Sequence, residues 1–183
     1  MLHLLQQNEI RTVLRDEGVI AYPTEGVWGL GCLPASHAAV MRLLELKQRS
    51  WRQGLLIVAG RIDQFDEFLQ GLGDDHRREL EENWPGPVTY LVPDNGSAPR
   101  WIVGEHKTVG LRVTNHPLVQ ELCEIEGPLV STSANVSSEP AAMTAGEVRQ
   151  YFQNRIDYLV PGALGARGRP SEIRVLTTGE VIR

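Results

Sequence analysis

Apolar positions along the chain follow two alternating rhythms. Leu4, Leu5, Ile10, Val13 and Leu14 recur at helical spacing and predict a first helix. Val19 to Tyr22 is a short unbroken apolar run, read as a strand, that ends in Pro23-Thr24-Glu25-Gly26. Ser36 suits the N-cap of a second helix reaching Lys47, with Val40, Leu43 and Leu44 on its inward stripe. Leu55 to Ala59 is apolar throughout, the pattern of a strand buried on both faces. Two short helices are predicted near 62–70 and 74–83, with Asp63 and Asp74 as caps. Trp84-Pro85-Gly86-Pro87 halts the helical pattern before a strand from Val88 to Val92, and residues 93–107 mix proline, glycine and charge as a loop does. Thr108 to Val113 and Leu129 to Thr132 predict further strands, with a helix from the cap Asn115 to about Glu126 between them. Thr144 and Glu147 make a capping box that opens another helix. Ile156 to Val160 and two short strands around Thr177-Thr178-Gly179 complete the pattern. Such alternation, with a hairpin-like tail, predicts a single α/β domain over 1–183, built on a twisted sheet of mixed parallel and antiparallel strands flanked by helices.

Composition narrows the classes. With 183 residues the chain can bury one full core, and 42% hydrophobic with 22% charged residues is ordinary for a soluble globular protein. A net charge of −5 argues against a general nucleic-acid coat protein but leaves room for a local basic cleft. Cys32 and Cys123 lack metal-ligand spacing, and His3, His37, His76, His106 and His116 form no HExxH pattern, so no metal site and a reduced, cytoplasmic setting are expected. No apolar run approaches the ~18 residues of a membrane span, and no signal-peptide profile opens the chain.

Candidate chemistry collects at the ends of elements. Lys47 continues the inward stripe of the second helix at its C-terminus, and Arg49 lies just beyond it. A snorkelling lysine at the negative end of a helix is the plain alternative. In the strand Thr108 to Val113, Val109, Leu111 and Val113 share one face, while Thr108, Gly110 and Arg112 share the other. A hydroxyl, bare backbone and a guanidinium on one face suit either solvent or the floor of an anion site. Ser131-Thr132-Ser133-Ala134-Asn135 follows a strand, where open α/β sheets bind ligands, or else bonds its own backbone as a turn. The Pro23-Thr24-Glu25-Gly26 loop is placed alike, and Ser171 sits in a polar turn after Gly168-Arg169-Pro170. No Walker-type glycine loop is present, so cations and neutral donors would have to hold any polyphosphate.

Six ordered segments then resemble a known family. They are Ala21-Tyr-Pro-Thr-Glu-Gly-Val-Trp-Gly-Leu-Gly31, Lys47-Gln-Arg49, Trp84-Pro-Gly-Pro-Val-Thr89, Gly110-Leu-Arg-Val113, Ser131-Thr-Ser-Ala-Asn135 and Pro170-Ser-Glu-Ile173. Together they resemble the YrdC (TsaC) family of threonylcarbamoyl-AMP synthases in its short, single-domain form. The resemblance implies a concave cleft and a reaction in which L-threonine, bicarbonate and ATP give threonylcarbamoyl-adenylate and pyrophosphate. Downstream proteins would pass the threonylcarbamoyl group to adenosine beside the anticodon of tRNA. It also implies that Lys47, Arg49, Ser133 and Asn135 form the catalytic, nucleotide-binding tetrad, with Thr108 and Arg183 as further ATP contacts. Thr24, Arg112, Ser131 and Ser171 fall on positions around the amino acid, Arg112 toward its carboxylate. Mg2+ would enter on the ATP phosphates. Ser50 stands where the family often has proline, Val58 where longer members often have histidine, and Gln53 where they often have asparagine. A closing lid is expected in the glycine-rich residues 161–171.

Two other classes compete. An RNA-binding module in tRNA or ribosome maturation could line a groove with Lys47, Arg49, Arg52, Arg112 and Arg169, although aromatic residues for base stacking make up 6% of the chain. A hydrolase or carbamoyltransferase would share the anion site but need no ATP.

Overall fold

A computed structural model describes residues 1–165 and 171–183. Arg169 and Pro170, and the middle of the expected lid, lie outside the described residues. The strands are β1 (Ile20–Pro23), β2 (Trp28–Gly31), β3 (Leu56–Ala59), β4 (Val88–Pro93), β5 (Thr108–Val113), β6 (Leu129–Ser133), β7 (Tyr158–Leu159) and β8 (Glu172–Val175). The helices are α1 (Leu4–Arg15), α2 (His37–Lys47), α3 (Asp74–Asn83), α4 (Arg100–Val103), α5 (Pro117–Glu126) and α6 (Ala145–Phe152). One sheet takes the order β7-β1-β2-β6-β3-β5-β4-β8. Its β1/β7, β3/β5 and β4/β8 pairs are parallel, and its β1/β2, β2/β6, β3/β6 and β4/β5 pairs are antiparallel. The mixed α/β sheet is thus as the sequence predicts.

Strand alternation sorts the side chains into two layers. Ala21, Leu30, Ile57, Leu111 and Val130 point to one face and pack with Val40 and Leu43 of α2, Leu80 of α3, and Val148 and Phe152 of α6. Ile20, Tyr22, Val58 and Leu129 point to the other, against Ile10 and Leu14 of α1 and Val119 and Leu122 of α5. Helices α1 and α5 cover one end of that second face, over β1, Val58 of β3 and Leu129 of β6. Toward β4, β5 and β8 it opens, and this uncovered floor becomes the site.

Local signals hold where the chain alone decides them. Ser36 accepts a hydrogen bond from the Ala39 amide and caps α2. Thr144 and Glu147 close their capping box on α6. Other readings need correction. The stretch Trp28–Gly31, to which the sequence pattern assigns no element, is β2, paired on both edges by β1 and β6. Near 62–70 the chain makes a single 3-10 turn, Ile62–Phe65, in which Gln64 accepts from the Gly60 and Arg61 amides while Asp63 pairs with Arg61. Gly73 and His116, rather than Asp74 and Asn115, are the N-cap residues of α3 and α5, and Pro117 takes the first position of α5. The loop at 93–107 contains the one-turn α4. The strand expected over 156–160 shortens to β7.

Candidate functional site

The open floor is the base of a cavity of about 410 Å³. Side chains of successive strands line it: Thr89 and Leu91 of β4, Thr108, Gly110 and Arg112 of β5, Leu56 and Val58 of β3, Ser131 and Ser133 of β6. The pairing explains the assembly, because Gly110 lies opposite Leu56 and Leu56 opposite Ser131, while Arg112 lies opposite Val58. Gly110 leaves the space that Leu56 fills: a Cβ there would come 2.2 Å from the Leu56 Cδ2 that lies across it, and that side chain would have to turn aside. Val109, Leu111 and Val113 are buried beneath, as the alternation predicts.

Eight of the ten sequence-predicted residues line this one cavity: Thr24, Arg49, Thr108, Arg112, Ser131, Ser133, Ser171 and Arg183. Lys47 and Asn135 do not. They stand immediately behind Ser133. The Lys47 side chain is buried, and its Nζ donates to the carbonyls of Ser133 (2.5 Å) and Asn135 (2.9 Å) and to Asn135 Oδ1 (3.1 Å). All three ammonium hydrogens therefore have acceptors, and all three acceptors are neutral. Burial, and then the nearby Arg49 guanidinium, push the Lys47 pKa down to about 8. Asn135 is fixed in turn: its Oδ1 accepts from the Ser133 hydroxyl (2.7 Å), and its Nδ2 donates to the carbonyls of Val136 and Glu139.

Arg49 repeats the theme. Its Nη2 donates to the Gly54 carbonyl (2.9 Å), its buried Nε has no partner among the described residues, and burial lowers its pKa. Gln48 allows this placement by ending α2 in a left-handed conformation, φ 51°. At the far end Arg183 donates to the Ser171 carbonyl, and Ser171 shares a 2.9 Å hydrogen bond with Thr89. On the near side the Thr24 hydroxyl donates to the Val27 carbonyl (2.7 Å), and the buried Tyr22 hydroxyl donates to Ser131 (3.1 Å).

Arg112 differs from the other cations. It is ion-paired with Glu25, Nη2 to Oε2 at 2.6 Å, with both side chains largely buried. Glu25 escaped the sequence reading as a site residue, although it lies inside the quoted loop motif. Thr89 and His106 also line the cavity unpredicted. For Thr89 the signal was a hydroxyl in an apolar strand, out of step with Val88 and Tyr90. Among the described residues, no group of three His, Cys, Asp or Glu could hold a metal ion. The free thiols of Cys32 and Cys123 are buried, and burial pushes each up to about 12, so neither supplies a thiolate.

A family profile described as Telomere recombination, covering Sua5, YciO and YrdC proteins, matches residues 12–183. The chain belongs to the Sua5/YciO/YrdC family. Relatives in the family include a threonylcarbamoyl-AMP synthase of Pseudomonas aeruginosa, 54% identical over 93% of this chain and 92% of that protein. Another, of Stutzerimonas stutzeri, is 51% identical over 96% of this chain and 95% of its own length. Among solved structures, P. abyssi Sua5 complexed with L-threonine superposes with a TM-score of 0.91 at 27% identity. That match covers all of this chain and 55% of the P. abyssi protein, so this chain spans little more than half of it. E. coli YciO shares the fold, with a TM-score of 0.87 over 100% of this chain and 90% of its own at 24% identity.

Proposed function

We infer that this protein is a threonylcarbamoyl-AMP synthase, a nucleotidyltransferase acting in tRNA modification. The observation that carries the reading is the pairing of a neutral-lined anion site with a charge-balanced one in a single cavity. Arg49 presents positive charge to the cavity, and Lys47 stands directly behind Ser133; among the described residues neither is paired with a carboxylate, and the hydroxyls of Ser133 and Thr108 line the same space. That is what a polyphosphate requires in a protein without a glycine-rich phosphate loop. Arg112, Thr24, Ser131 and Ser171 face the same space and suit an α-amino acid with a hydroxyl. The family membership and the relatives' names favour this synthase over a bare RNA-binding module.

The chemistry follows from those groups. The threonine amine, once deprotonated, takes up carbon from bicarbonate to give a carbamate and water. A carbamate oxygen attacks the α-phosphorus of ATP, the bond to the bridging oxygen breaks, and pyrophosphate leaves with the electron pair. Charge grows on the phosphoryl oxygens and on the leaving group. Lys47, Arg49, Ser133 and Asn135 stabilise it in a preorganised frame, so no covalent protein nucleophile is needed. Thr108 and Arg183 hold the nucleotide further out, and Arg112 holds the threonine carboxylate. Mg2+ arrives with the ATP phosphates as part of the substrate. The product is a mixed anhydride, and it requires a downstream transfer protein that delivers the group to tRNA. A cytoplasmic setting suits these substrates, and the single continuous eight-stranded sheet supports treating 1–183 as one domain.

Pyrophosphate release tests this directly. The protein should release pyrophosphate from ATP only when L-threonine and bicarbonate are both present. Release indifferent to threonine would overturn the reading.

A further inference from the structure

We propose that Glu25 is the positioning residue for the amino-acid half of the site: it aims Arg112 and balances its charge, so that the site selects a zwitterion. The proposal rests on the synthase reading above.

Glu25 is held at both oxygens. Oε2 accepts from Arg112 Nη2 at 2.6 Å, and Oε1 accepts from the Thr114 hydroxyl at 2.6 Å. Thr114 is fully buried and itself accepts from the His116 amide at the start of α5. The loop bearing Glu25 is pinned from outside, because the Gly165 amide donates to the Thr24 carbonyl. Gly165 lies so close that a Cβ on it would come 2.8 Å from the Glu25 Cα. A carboxylate fixed at both oxygens fixes its guanidinium. Arg112 therefore turns Nη2 to the protein, while its Nε and Nη1 have no partner among the described residues.

This arrangement assigns Glu25 a role distinct from base catalysis. Burial alone would raise its pKa, but the Arg112 charge and the Thr114 hydrogen bond outweigh that and hold the carboxyl below its ordinary range. A carboxylate so occupied is a poor proton acceptor and a good fixed charge. With Glu25 in place the Arg112 end of the cavity is close to neutral. A ligand bearing one carboxylate and one ammonium meets a complementary pair there, whereas an anion without the ammonium gains only the Arg112 contact and nothing from Glu25.

The test compares wild type, Glu25→Gln and Thr114→Val, each as the full chain. Binding of L-threonine and of 3-hydroxybutyrate, which lacks the amine, is measured by calorimetry, together with KM for threonine and for ATP. Glu25→Gln keeps the shape and removes the charge. It should weaken threonine roughly tenfold or more, leave the ATP KM within about twofold, and shrink the preference for threonine over 3-hydroxybutyrate. Thr114→Val should move the same quantities in the same direction by less. Unchanged threonine binding in Glu25→Gln, or losses that fall equally on threonine, ATP and thermal stability, would overturn the proposal. A wild type that binds no threonine would instead overturn the synthase reading, and this inference with it.

Discussion

A lysine ammonium that is 2% exposed, with neutral oxygens as its three acceptors, is costly to keep charged. Lys47 is in that state, with a pKa of about 8 against an ordinary 10.5. A polyphosphate beside it favours the charged form and raises the pKa again. Between those two values, ATP binding must therefore take up a proton. Calorimetry near pH 8.5 in buffers of different ionisation enthalpy should show uptake, and a Lys47→Met variant should not; zero uptake in wild type would refute the assignment. In the ligand-free protein the same depression has a second consequence. From about 8 to 10.5 the unfolded chain retains a proton that the folded chain has lost, so the Lys47 contribution to stability rises with pH. The inward position of Lys47 was legible from its spacing after Val40, Leu43 and Leu44. Its place behind Ser133, rather than in the cavity, was not, because the acceptors lie 86 and 88 residues away, at the end of β6 and in the turn that follows it.

Strand β5 is built to leave space, and Gly110 is where that space is set. A methyl group there displaces Leu56 from across the floor. Because the clashing atom is the end of the half-buried Leu56 side chain, Gly110→Ala should cost less than the roughly 1–3 kcal/mol of an overpacked core and raise the KM for substrate as Leu56 swings into the cavity. Adding Leu56→Ala should restore much of the stability, so the double variant in chemical denaturation should be less damaged than the sum of the two single variants. Additivity would show that the two side chains do not share the space. The polar face of β5 was readable because Thr108, Gly110 and Arg112 alternate with three apolar residues. Strand β2 was not readable, since Trp28-Gly29-Leu30-Gly31 has weak intrinsic strand preference and is made a strand by partners on both edges. Its glycines admit the Tyr22 ring, which a Cβ on Gly31 would meet at 2.9 Å. Caps divide the same way. Ser36 and Thr144 act on their own helix and were legible. Asn115 lost its place to His116, because the Thr114 hydroxyl that receives the His116 amide is itself held by Glu25, far away in sequence.

Among the described residues, eight of the fourteen arginines are paired with carboxylates, including Arg11 and Arg15 with Glu126, Arg42 with Asp157, and Arg174 with Glu172. Against that background, and a net charge of −5, Arg49 brings positive charge to the cavity wall and Lys47 stands just behind it, at Ser133. The opposite treatment of Arg112, neutralised by Glu25, makes the two halves of the site respond differently to salt. A polyphosphate bound at about 100 times its Kd adds about 2.7 kcal/mol of stability, a Tm rise of roughly 5–10 °C for a chain of this size. Raising the salt from 0.1 to 1 M shortens the screening length from about 10 to about 3 Å. The Tm rise produced by a fixed concentration of pyrophosphate should therefore fall with salt. The rise produced by threonine, a zwitterion on a balanced pair, should be nearly constant over the same range. Thermal shifts with each ligand at both salt concentrations read the difference directly. Equal salt sensitivity would mean that Arg112 meets threonine as an unpaired cation, which the buried ion pair with Glu25 forbids.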